Sequence, residues 1–214
     1  MKVVEIFKSI DGEGKRTGLP TTFVRLYGCN LNCSYCDTRY ACEGDNYTEM
    51  GVMDIVGKVA SLGVPSVTVT GGEPLAQSNI VFLVTALADK GYDVNVETNG
   101  SLPISFVNLY ENVWVTMDWK SLSSGMAQYN LEVNLTTLRD SDVIKFVVSD
   151  KEDLDQMRDV IGRLDTSPSI YVSPVFGKID PKEIVQYLLD NNLNNVRVQL
   201  QLHKIIWDPN ERGV

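Results

Sequence analysis

The sequence predicts one α/β domain with a mostly parallel sheet. Short runs rich in β-branched residues alternate with longer helical patterns along most of the chain, which is the order of βαβ units. Polar and glycine-rich motifs directly follow several of the predicted strands. The 214 residues contain no linker rich in Pro, Gly or Ser and no block of charge. We therefore expect a single domain over residues 1–214.

The individual elements follow from the spacing of apolar residues, which recur at every second position in strands and every three or four in helices. Strands are predicted at Val3–Phe7, Thr22–Tyr27, Ser66–Thr70, Asp93–Glu97, Val113–Met117, Val143–Val148, Ser169–Val172 and Val196–Leu200. Helices are predicted at Val52–Leu62, Asn79–Lys90, Lys151–Leu164 and Pro181–Asn191. Asp180 is expected to cap the last helix, with Pro181 at its first position.

The overall charge favours a small-molecule substrate over a nucleic acid. The formal net charge is −9 and the pI is about 4.6, whereas binding to a phosphate backbone needs clustered Lys and Arg. Charges interrupt the apolar residues at the N-terminus, which disfavours a signal peptide. The longest apolar stretch, Ile80 to Ala88, is too short to span a bilayer. We expect a cytoplasmic protein without a membrane partner.

Three of the four cysteines lie close together in a loop that follows a predicted strand. The run GCNLNCSYCDT places Cys29, Cys33 and Cys36 at C-x-x-x-C-x-x-C spacing. Three thiolates can bind three irons of a [4Fe–4S] cluster and leave the fourth iron open to a cofactor that receives an electron. The alternative is a zinc site completed by Cys42. Zinc ligands usually come as two short pairs, and Cys42 is expected in an unrelated loop.

Four other motifs are expected near the same edge of the sheet. The runs TGGEP, TNG, DWK and SPVFG each follow a predicted strand. Ligands of parallel α/β folds bind at the carboxyl ends of strands. These motifs should therefore converge with the cysteine loop, although Gly, Pro and Asn are also common in turns that have no ligand.

Taken together, these motifs resemble one enzyme family. The cysteine motif followed by GGEP is similar to the radical S-adenosylmethionine (SAM) superfamily. Within it, the runs IFKSIDGEG, FVRLYGCNLNCSYCDT, TVTGGEP, ETNGSLP and QLQLHKIIWDPNERGV resemble the 7-carboxy-7-deazaguanine synthases, from Ile6 to the last residue. The resemblance implies a partial, modified (β/α) barrel. It also implies ring contraction of 6-carboxy-5,6,7,8-tetrahydropterin to 7-carboxy-7-deazaguanine with release of ammonia, a step toward queuosine and other 7-deazapurine nucleosides.

The resemblance also implies cofactors and partners. Similar enzymes use a [4Fe–4S] cluster, SAM and Mg²⁺, and they need an external one-electron reductant such as flavodoxin or ferredoxin; a homodimer is implied as well. The implied cluster ligands are Cys29, Cys33 and Cys36, and Thr38 would bind Mg²⁺ through its hydroxyl oxygen. The implied SAM contacts are Tyr35, Cys36, Asp37, Gly72, Glu73, Glu97, Asn99, Asp118, Trp119, Lys120, Ser173, Pro174, Val175 and Phe176.

The pterin is expected to meet residues from both ends of the chain. Arg25 matches the group that holds the substrate carboxylate, for which a planar guanidinium is well suited. Thr70 and His203 are expected beside the ring and complete the candidate catalytic set. The other implied substrate contacts are Ile10, Asp11, Gly12, Glu13 and Val214. Similar enzymes commonly carry Gln where this chain has Asp11, and Ser-Pro-Lys where it has Asp118, Trp119 and Lys120.

Two other interpretations stay open on the sequence alone. One is another small radical SAM enzyme, such as a glycyl-radical activase, which would need an open groove for a polypeptide. Arg25 and the chain terminus suit a small carboxylated heterocycle instead. The other is a protein that is not an enzyme: an iron–sulfur electron carrier or a zinc-stabilised binding module. Neither of these would cleave SAM.

Overall fold

A nine-stranded sheet forms the centre of the protein. The computed structural model describes residues 1–209 and 211–214, and the order of the strands is β3-β1-β2-β4-β5-β6-β7-β8-β9. The strands are β1 (Lys2–Ile10), β2 (Pro20–Leu26), β3 (Thr48–Glu49), β4 (Ser66–Gly71), β5 (Asp93–Thr98), β6 (Val113–Trp119), β7 (Val143–Val148), β8 (Ser169–Pro174) and β9 (Val196–Val198). Neighbours from β2 to β9 are parallel, whereas β1 runs antiparallel to β2 and β3.

Helices connect most of the parallel strands. They are α1 (Val52–Leu62), α2 (Ile80–Ala88), α3 (Val133–Thr137), α4 (Lys151–Ile161), α5 (Pro181–Asp190) and α6 (His203–Ile206). Short 3-10 helices occur at Arg39–Ala41, Pro74–Ala76, Ser105–Leu109, Leu122–Ser124 and Ala127–Tyr129. The Asp180 side chain caps α5 by accepting a hydrogen bond from the Lys182 backbone N–H, as predicted. Within the described part of the chain, no helix is long and apolar enough to cross a membrane.

The core lies between the helices and one face of the sheet. Val67 and Val69 of β4 and Val94 and Val96 of β5 are fully buried in it. Because successive strand residues point to opposite faces, the polar residues between these valines point to the other face. The inner face of the sheet is therefore polar, which prepares it for a ligand rather than for a second apolar layer.

The predicted fold class is confirmed, with differences in the short elements. All eight predicted strands and all four predicted helices are present, within a few residues of their expected bounds. The sequence did not predict β3, α3 or α6, because two to five residues are too few to display a period. The antiparallel start of the sheet follows from the β1–β2 loop, residues 11–19, which contains no helix to carry the chain across the sheet.

The Arg16 side chain fixes the β1–β2 loop against the inner face of the sheet. Its Nε donates to Asp11 Oδ2 at 2.9 Å, Nη1 to the Asp93 carbonyl oxygen at 2.8 Å, and Nη2 to Thr68 Oγ1 at 2.7 Å. Both Arg16 and Asp11 are almost completely buried. A buried ion pair repays its desolvation only when such additional hydrogen bonds are present. The loop is therefore held at the strands β4 and β5.

The same loop also reaches the opposite end of the sheet. Gly14 donates its backbone N–H to Gln199 Oε1, just after β9, at 2.7 Å. Glu13 contacts Ser173 of β8 and Lys145 of β7. Since one nine-residue loop contacts strands β4, β5, β7 and β8 at once, the sheet must curve around it. This is the partial barrel that was expected, with the loop filling one end.

We expect Arg16→Met to destabilise the protein, because it leaves the Asp11 carboxylate buried without its cation. The expected loss is about 3–5 kcal/mol in the free energy of unfolding, measured by urea denaturation of the cluster-free protein. Arg163→Met is the matched control, since Arg163 pairs with Glu132 at an exposed site, and it should cost about 0.5 kcal/mol or less. If the two variants lose equal stability, the loop is not anchored by Arg16.

Candidate active site

A cavity of about 450 Å³ lies at the carboxyl ends of the parallel strands. Successive strands supply its wall: Arg25 from β2, Thr70 from β4, Glu97 from β5, Asp118 from β6 and Lys145 from β7. Arg25 is paired in register with Thr70, and Asp118 with Lys145. Thr70 Oγ1 donates to Glu97 Oε2 at 2.8 Å. These five side chains form a continuous row, which we call the polar belt.

The cavity collects most of the predicted site residues. Those that line it are Ile10, Asp11, Gly12, Glu13, Arg25, Cys29, Cys33, Tyr35, Cys36, Asp37, Thr38, Thr70, Gly72, Glu97, Asn99, Asp118, Lys120, Val175, Phe176, His203 and Val214. Glu73, Trp119, Ser173 and Pro174 are absent from this lining. The predicted convergence of the motifs on one rim is thus confirmed for their loops, and the four exceptions lie behind the wall.

The loop after β2 brings Cys29, Cys33 and Cys36 to the cavity. The Cys36 backbone N–H donates to the Cys33 carbonyl at 3.3 Å, which bends the loop into a turn. Cys29 Sγ accepts hydrogen bonds from the Leu31 backbone N–H at 3.4 Å and from Asn99 Nδ2 at 3.7 Å. N–H donors of this kind stabilise thiolates that bind iron–sulfur clusters. This donor set, three thiols from one loop with N–H groups directed at a sulfur, fits such a cluster.

Cys42 lies beside Cys29, so the expectation that it occupies an unrelated loop is wrong. The 3-10 helix Arg39–Ala41 turns the chain back, and the Ala41 carbonyl accepts from the Gly28 N–H at 2.7 Å. The hydrogen bond from Cys42 lowers the pKa of Cys29 to about 6, against the effect of burial, and raises the pKa of Cys42. Among the described residues, no group of three or more His, Cys, Asp or Glu side chains surrounds a single metal position.

The two glycines of TGGEP allow β4 to pack directly on the cysteine loop. A Cβ at Gly71 would overlap the Leu26 backbone, and a Cβ at Gly72 would overlap the Gly28 carbonyl. Gly71 also has a φ of 144°, which other residues rarely adopt. The Gly72 N–H donates to the Leu26 carbonyl at 3.1 Å, and the Glu73 N–H to the Gly28 carbonyl at 2.8 Å. Both glycines therefore fix the position of the cysteine loop.

Arg25 is held by one edge of its guanidinium and presents the other edge to the cavity. Its Nε donates to Glu5 Oε1 at 2.7 Å, and the same oxygen accepts from the Tyr40 hydroxyl at 3.0 Å. Among the hydrogen bonds of the described residues, none involves the terminal nitrogens of Arg25. The Arg212 guanidinium lies 4.0 Å from the centre of the Tyr40 ring. The terminal residue Val214 also lines the cavity. The unoccupied edge of the Arg25 guanidinium suits a bound carboxylate.

Two lysines balance the carboxylates of the polar belt. Lys145 Nζ lies 3.0 Å from Glu13 Oε2 and 3.6 Å from Asp118 Oδ1, and Lys120 Nζ lies 2.8 Å from Asp118 Oδ2. Burial lowers the pKa of Lys145, but the carboxylates of Asp118, Glu13 and Glu97 outweigh this effect and raise it well above its usual value. Burial likewise raises the pKa of Asp118, and the two ammonium groups reverse that shift. The belt is thus strongly charged.

Asp37, next to the last cysteine, forms a second charged contact. Burial raises its pKa, but the Lys204 ammonium at 2.7 Å outweighs this and holds the pKa at about 2. Thr38 Oγ1 donates to Asp37 Oδ1 at 3.0 Å. His203 precedes Lys204 and lies so close to Gly12 that a Cβ there would overlap the imidazole. Burial lowers the pKa of His203, which favours the neutral ring.

The Glu73 side chain was expected to face the cavity, but it does not. It is fully buried, and its Oε1 accepts from the Leu75 N–H at 2.9 Å and from Thr98 Oγ1 at 2.8 Å, while Oε2 accepts from the Asn99 N–H at 2.7 Å. Burial raises its pKa to about 7 in spite of these donors. In this structure Glu73 holds the loop after β5 in place, which is a role that the GGEP motif alone could not reveal.

Two other predicted contacts, Trp119 and Ser173, lie behind the wall, and Asp11 lines the cavity but binds the loop with its carboxylate. Trp119 is 3% exposed and belongs to the apolar core. Ser173 donates its hydroxyl to Glu13 Oε1 at 3.1 Å, one contact away from the cavity. Asp11 reaches the lining, but its carboxylate is bound by Arg16, so its side chain serves the loop. Asp11 stands where similar enzymes commonly carry Gln, and here its carboxylate forms a buried ion pair with Arg16.

Sequence reasoning missed several charged or polar residues at the cavity. Tyr40, Lys145, Lys204 and Arg212 line it, and Glu5 supports Arg25 from outside the lining. Only Lys145 leaves a signal, because it interrupts the apolar run VIKFVV of a buried strand. A lysine in such a run is costly unless it has a partner. The others are recognised only through partners distant in sequence.

The comparisons with known proteins agree with one another. Residues 23–130 match the model of the radical SAM superfamily. The 7-carboxy-7-deazaguanine synthase of Clostridium acetobutylicum is 47% identical over 100% of this chain and 99% of its own length, and that of Methanospirillum hungatei is 41% identical over 98% and 86%. The crystal structure of QueE from Escherichia coli superposes with a TM-score of 0.77 at 23% identity, covering 94% of this chain and 93% of that one. Streptococcus suis SuiB bound to S-adenosylmethionine gives a TM-score of 0.60 at 15% identity, covering 83% and 51%.

Replacing individual cysteines should separate an open cluster site from a closed one. We expect Cys33→Ala to lose bound iron and sulfide, because it removes one of three ligands. Cys42→Ala removes only a hydrogen bond to Cys29 and should retain the iron and sulfide content and the cleavage of SAM. Iron and sulfide analysis after anaerobic reconstitution measures the cluster content of both variants, and release of 5′-deoxyadenosine measures the cleavage of SAM. Loss of iron in Cys42→Ala would mean that four thiolates close the site, as in an electron carrier or a zinc module.

Proposed function

The chain belongs to the 7-carboxy-7-deazaguanine synthase family of the radical SAM superfamily, and we propose that it converts 6-carboxy-5,6,7,8-tetrahydropterin to 7-carboxy-7-deazaguanine with release of ammonia. Its relatives over the full length support this reaction and give no support to a glycyl-radical activase or an electron carrier. The product is a 7-deazapurine, on the route to nucleosides such as queuosine.

One observation carries this proposal: a single cavity contains both the three-cysteine loop and Arg25, whose terminal nitrogens make no hydrogen bond among the described residues. The substrate carries one carboxylate, and a guanidinium can bind it with two parallel hydrogen bonds. Glu5 supports this role, because it holds Arg25 through Nε and does not occupy the two terminal nitrogens of the guanidinium. Arg25 therefore positions the pterin over the cofactor side of the cavity.

Glu13 is proposed to bind the opposite edge of the pterin. An amino-pyrimidine presents N–H donors, and an ionised carboxylate is an acceptor with two oxygens. Glu13 is directed into the cavity by Ser173 and Lys145. Thr70 and the neutral imidazole of His203 would complete the contacts to the ring. Contacts of this kind fix the orientation of the pterin, which limits side reactions and brings the reacting carbon close to the cofactor.

The cofactor side is proposed to hold the cluster through Cys29, Cys33 and Cys36. When bound, the cluster supplies the electron that cleaves SAM and so starts hydrogen abstraction from the substrate. The proposed SAM contacts among the lining residues are Tyr35, Asp37, Gly72, Glu97, Asn99, Asp118, Lys120, Val175 and Phe176. Lys120 offers an ammonium to a carboxylate, and its cavity position supports this role. Mg²⁺ is proposed to bind the Thr38 hydroxyl and substrate oxygens.

We propose a cytoplasmic homodimer that receives electrons from a flavodoxin or a ferredoxin. The family supports these proposals, and sedimentation and reduction assays would test them.

An anaerobic product assay tests the proposed function directly. Reconstituted enzyme with SAM, Mg²⁺, a reductant and the carboxy-tetrahydropterin should form the ring-contracted product and ammonia in equal amounts. The control without substrate should release only a slow background of 5′-deoxyadenosine. Complete enzyme that cleaves SAM but yields no ring-contracted product would overturn the proposal while leaving the radical SAM assignment intact.

The free carboxylate of Val214 is expected to contribute to pterin binding. A short tag after Val214 moves this charge away from the cavity, and loss of a charge-assisted hydrogen bond should raise the KM for the pterin about tenfold or more. An N-terminal tag is the matched control. Cluster content and SAM cleavage without substrate should stay near normal. An unchanged KM in the C-terminally tagged enzyme would show that Val214 takes no part in binding.

A further inference from the structure

We infer that Lys145 is a positioning residue for the pterin, because its ammonium holds the Glu13 carboxylate in the orientation that accepts the amino-pyrimidine edge. The inference rests on the proposed function. Lys145 lies in the middle of β7, outside every motif that the family resemblance singles out. Three features support this role: the contacts of Glu13, the contacts of Asp118 and the cost of burying a lysine.

The Glu13 carboxylate has one partner on each oxygen. Oε2 lies 3.0 Å from Lys145 Nζ, and Oε1 accepts from the Ser173 hydroxyl at 3.1 Å. The side chains of Glu13 and Lys145 are only 13% and 12% exposed. These two contacts come from adjacent parallel strands, β7 and β8. Together they define the plane of the carboxylate, although Glu13 itself belongs to a loop.

The two carboxylates that contact Lys145 differ in how much they depend on it. Asp118 also pairs with Lys120 at 2.8 Å, so it keeps a cation when Lys145 is removed. In the part of the chain that the structure describes, the only ion pair of Glu13 is with Lys145. Loss of the ammonium should therefore disturb Glu13, on the substrate side, far more than Asp118, on the cofactor side.

Burial explains why a lysine at this position needs a function or a strong partner. The neighbours Ile144 and Phe146 are buried in the core, and transferring an ammonium from water into such a strand is costly unless carboxylates surround it. Glu13, Glu97 and Asp118 supply that surrounding charge, and they keep the pKa of Lys145 well above its usual value. Without the ammonium, these carboxylates would repel each other, and the Glu13 side chain, unlike Asp118, would have no lysine partner left among the described residues.

Four variants test the inference. Lys145→Met removes the positive charge from a side chain of similar length, and Lys145→Arg retains the charge. Glu13→Gln removes the negative charge of the carboxylate that pairs with Lys145. The double variant Glu13→Gln, Lys145→Met removes both charges and leaves no unpaired ion between them. Lys151→Met is the control, because Lys151 is exposed on α4 and pairs with Asp155. The readouts are the Kd of the pterin for the reconstituted, SAM-loaded enzyme by equilibrium dialysis, kcat and KM, and 5′-deoxyadenosine release without substrate.

Lys145→Met should raise the Kd and KM of the pterin about 30-fold or more, the usual effect of truncating one partner of a buried charge pair. The kcat at saturation and the 5′-deoxyadenosine release should stay within about threefold of wild type, since the interaction is made in binding. Lys145→Arg should recover most of the affinity. The double variant should bind no more weakly than Glu13→Gln alone, because Lys145 acts only through the Glu13 carboxylate.

Three outcomes would overturn the inference. They are a wild-type Kd in Lys145→Met, full additivity in the double variant, or an equal loss of substrate-free SAM cleavage, which would assign Lys145 to the cofactor side. If Lys145→Met fails to fold, the double variant and Lys145→Arg decide the matter through the same Kd. Absence of product from the wild-type enzyme is a different result, since it contradicts the proposed function and not the pairing of Lys145 with Glu13.

Discussion

The buried guanidinium of Arg16 is the interaction on which both the barrel and the substrate side of the cavity depend. It ties the β1–β2 loop to β4 and β5 through Asp11, Thr68 and the Asp93 carbonyl. The loop lies inside the curve of the sheet, and this buried ion pair with its hydrogen bonds fixes it there. The loop then places Gly12 against His203 and Glu13 against β7 and β8. A structural ion pair thus determines where two proposed substrate contacts lie.

Three charged side chains at the cavity are likewise oriented by an opposite charge from another element. Arg25 of β2 is held by Glu5 of β1, Glu13 by Lys145 of β7, and Asp37 by Lys204 of α6. In each pair one member belongs to a proposed ligand contact and the other supports it. The support costs little conformational freedom at binding, since the side chains are ordered before a ligand arrives. The net charge of −9 therefore conceals a site in which the local charges are closely balanced.

The sequence predicted what is local and missed what is made by pairing. The cysteine spacing, the loops after β4, β5 and β6, and the alternation of strands and helices all lie within short windows, and the fold and most lining residues followed from them. Glu73 looked like a ligand because the GGEP motif ends a strand, yet its oxygens are occupied by the loop after β5. Glu5 and Lys204 carry no local signal, since their partners lie 20 and 167 positions away. The first contact arises from the pairing of β1 with β2, and the second from the position of α6 beside the cysteine loop.

The positions of these residues suggest how the two halves of the cavity are encoded. The cysteine loop, the glycines of β4 and Asp118 lie within residues 23–130, the span that the chain shares with the wider superfamily. The residues proposed to select the pterin lie mainly outside it: Glu13 and its partner Lys145, His203 and Val214. The β1–β2 loop and the chain terminus approach the cavity from the two ends of the sequence, so they can change without moving the cysteines. The fold can therefore keep one cofactor chemistry while the ends of the chain determine which substrate lies beside the cofactor. Pairs such as Arg16 with Asp11 and Lys145 with Glu13 hold the N-terminal loop in place for this purpose.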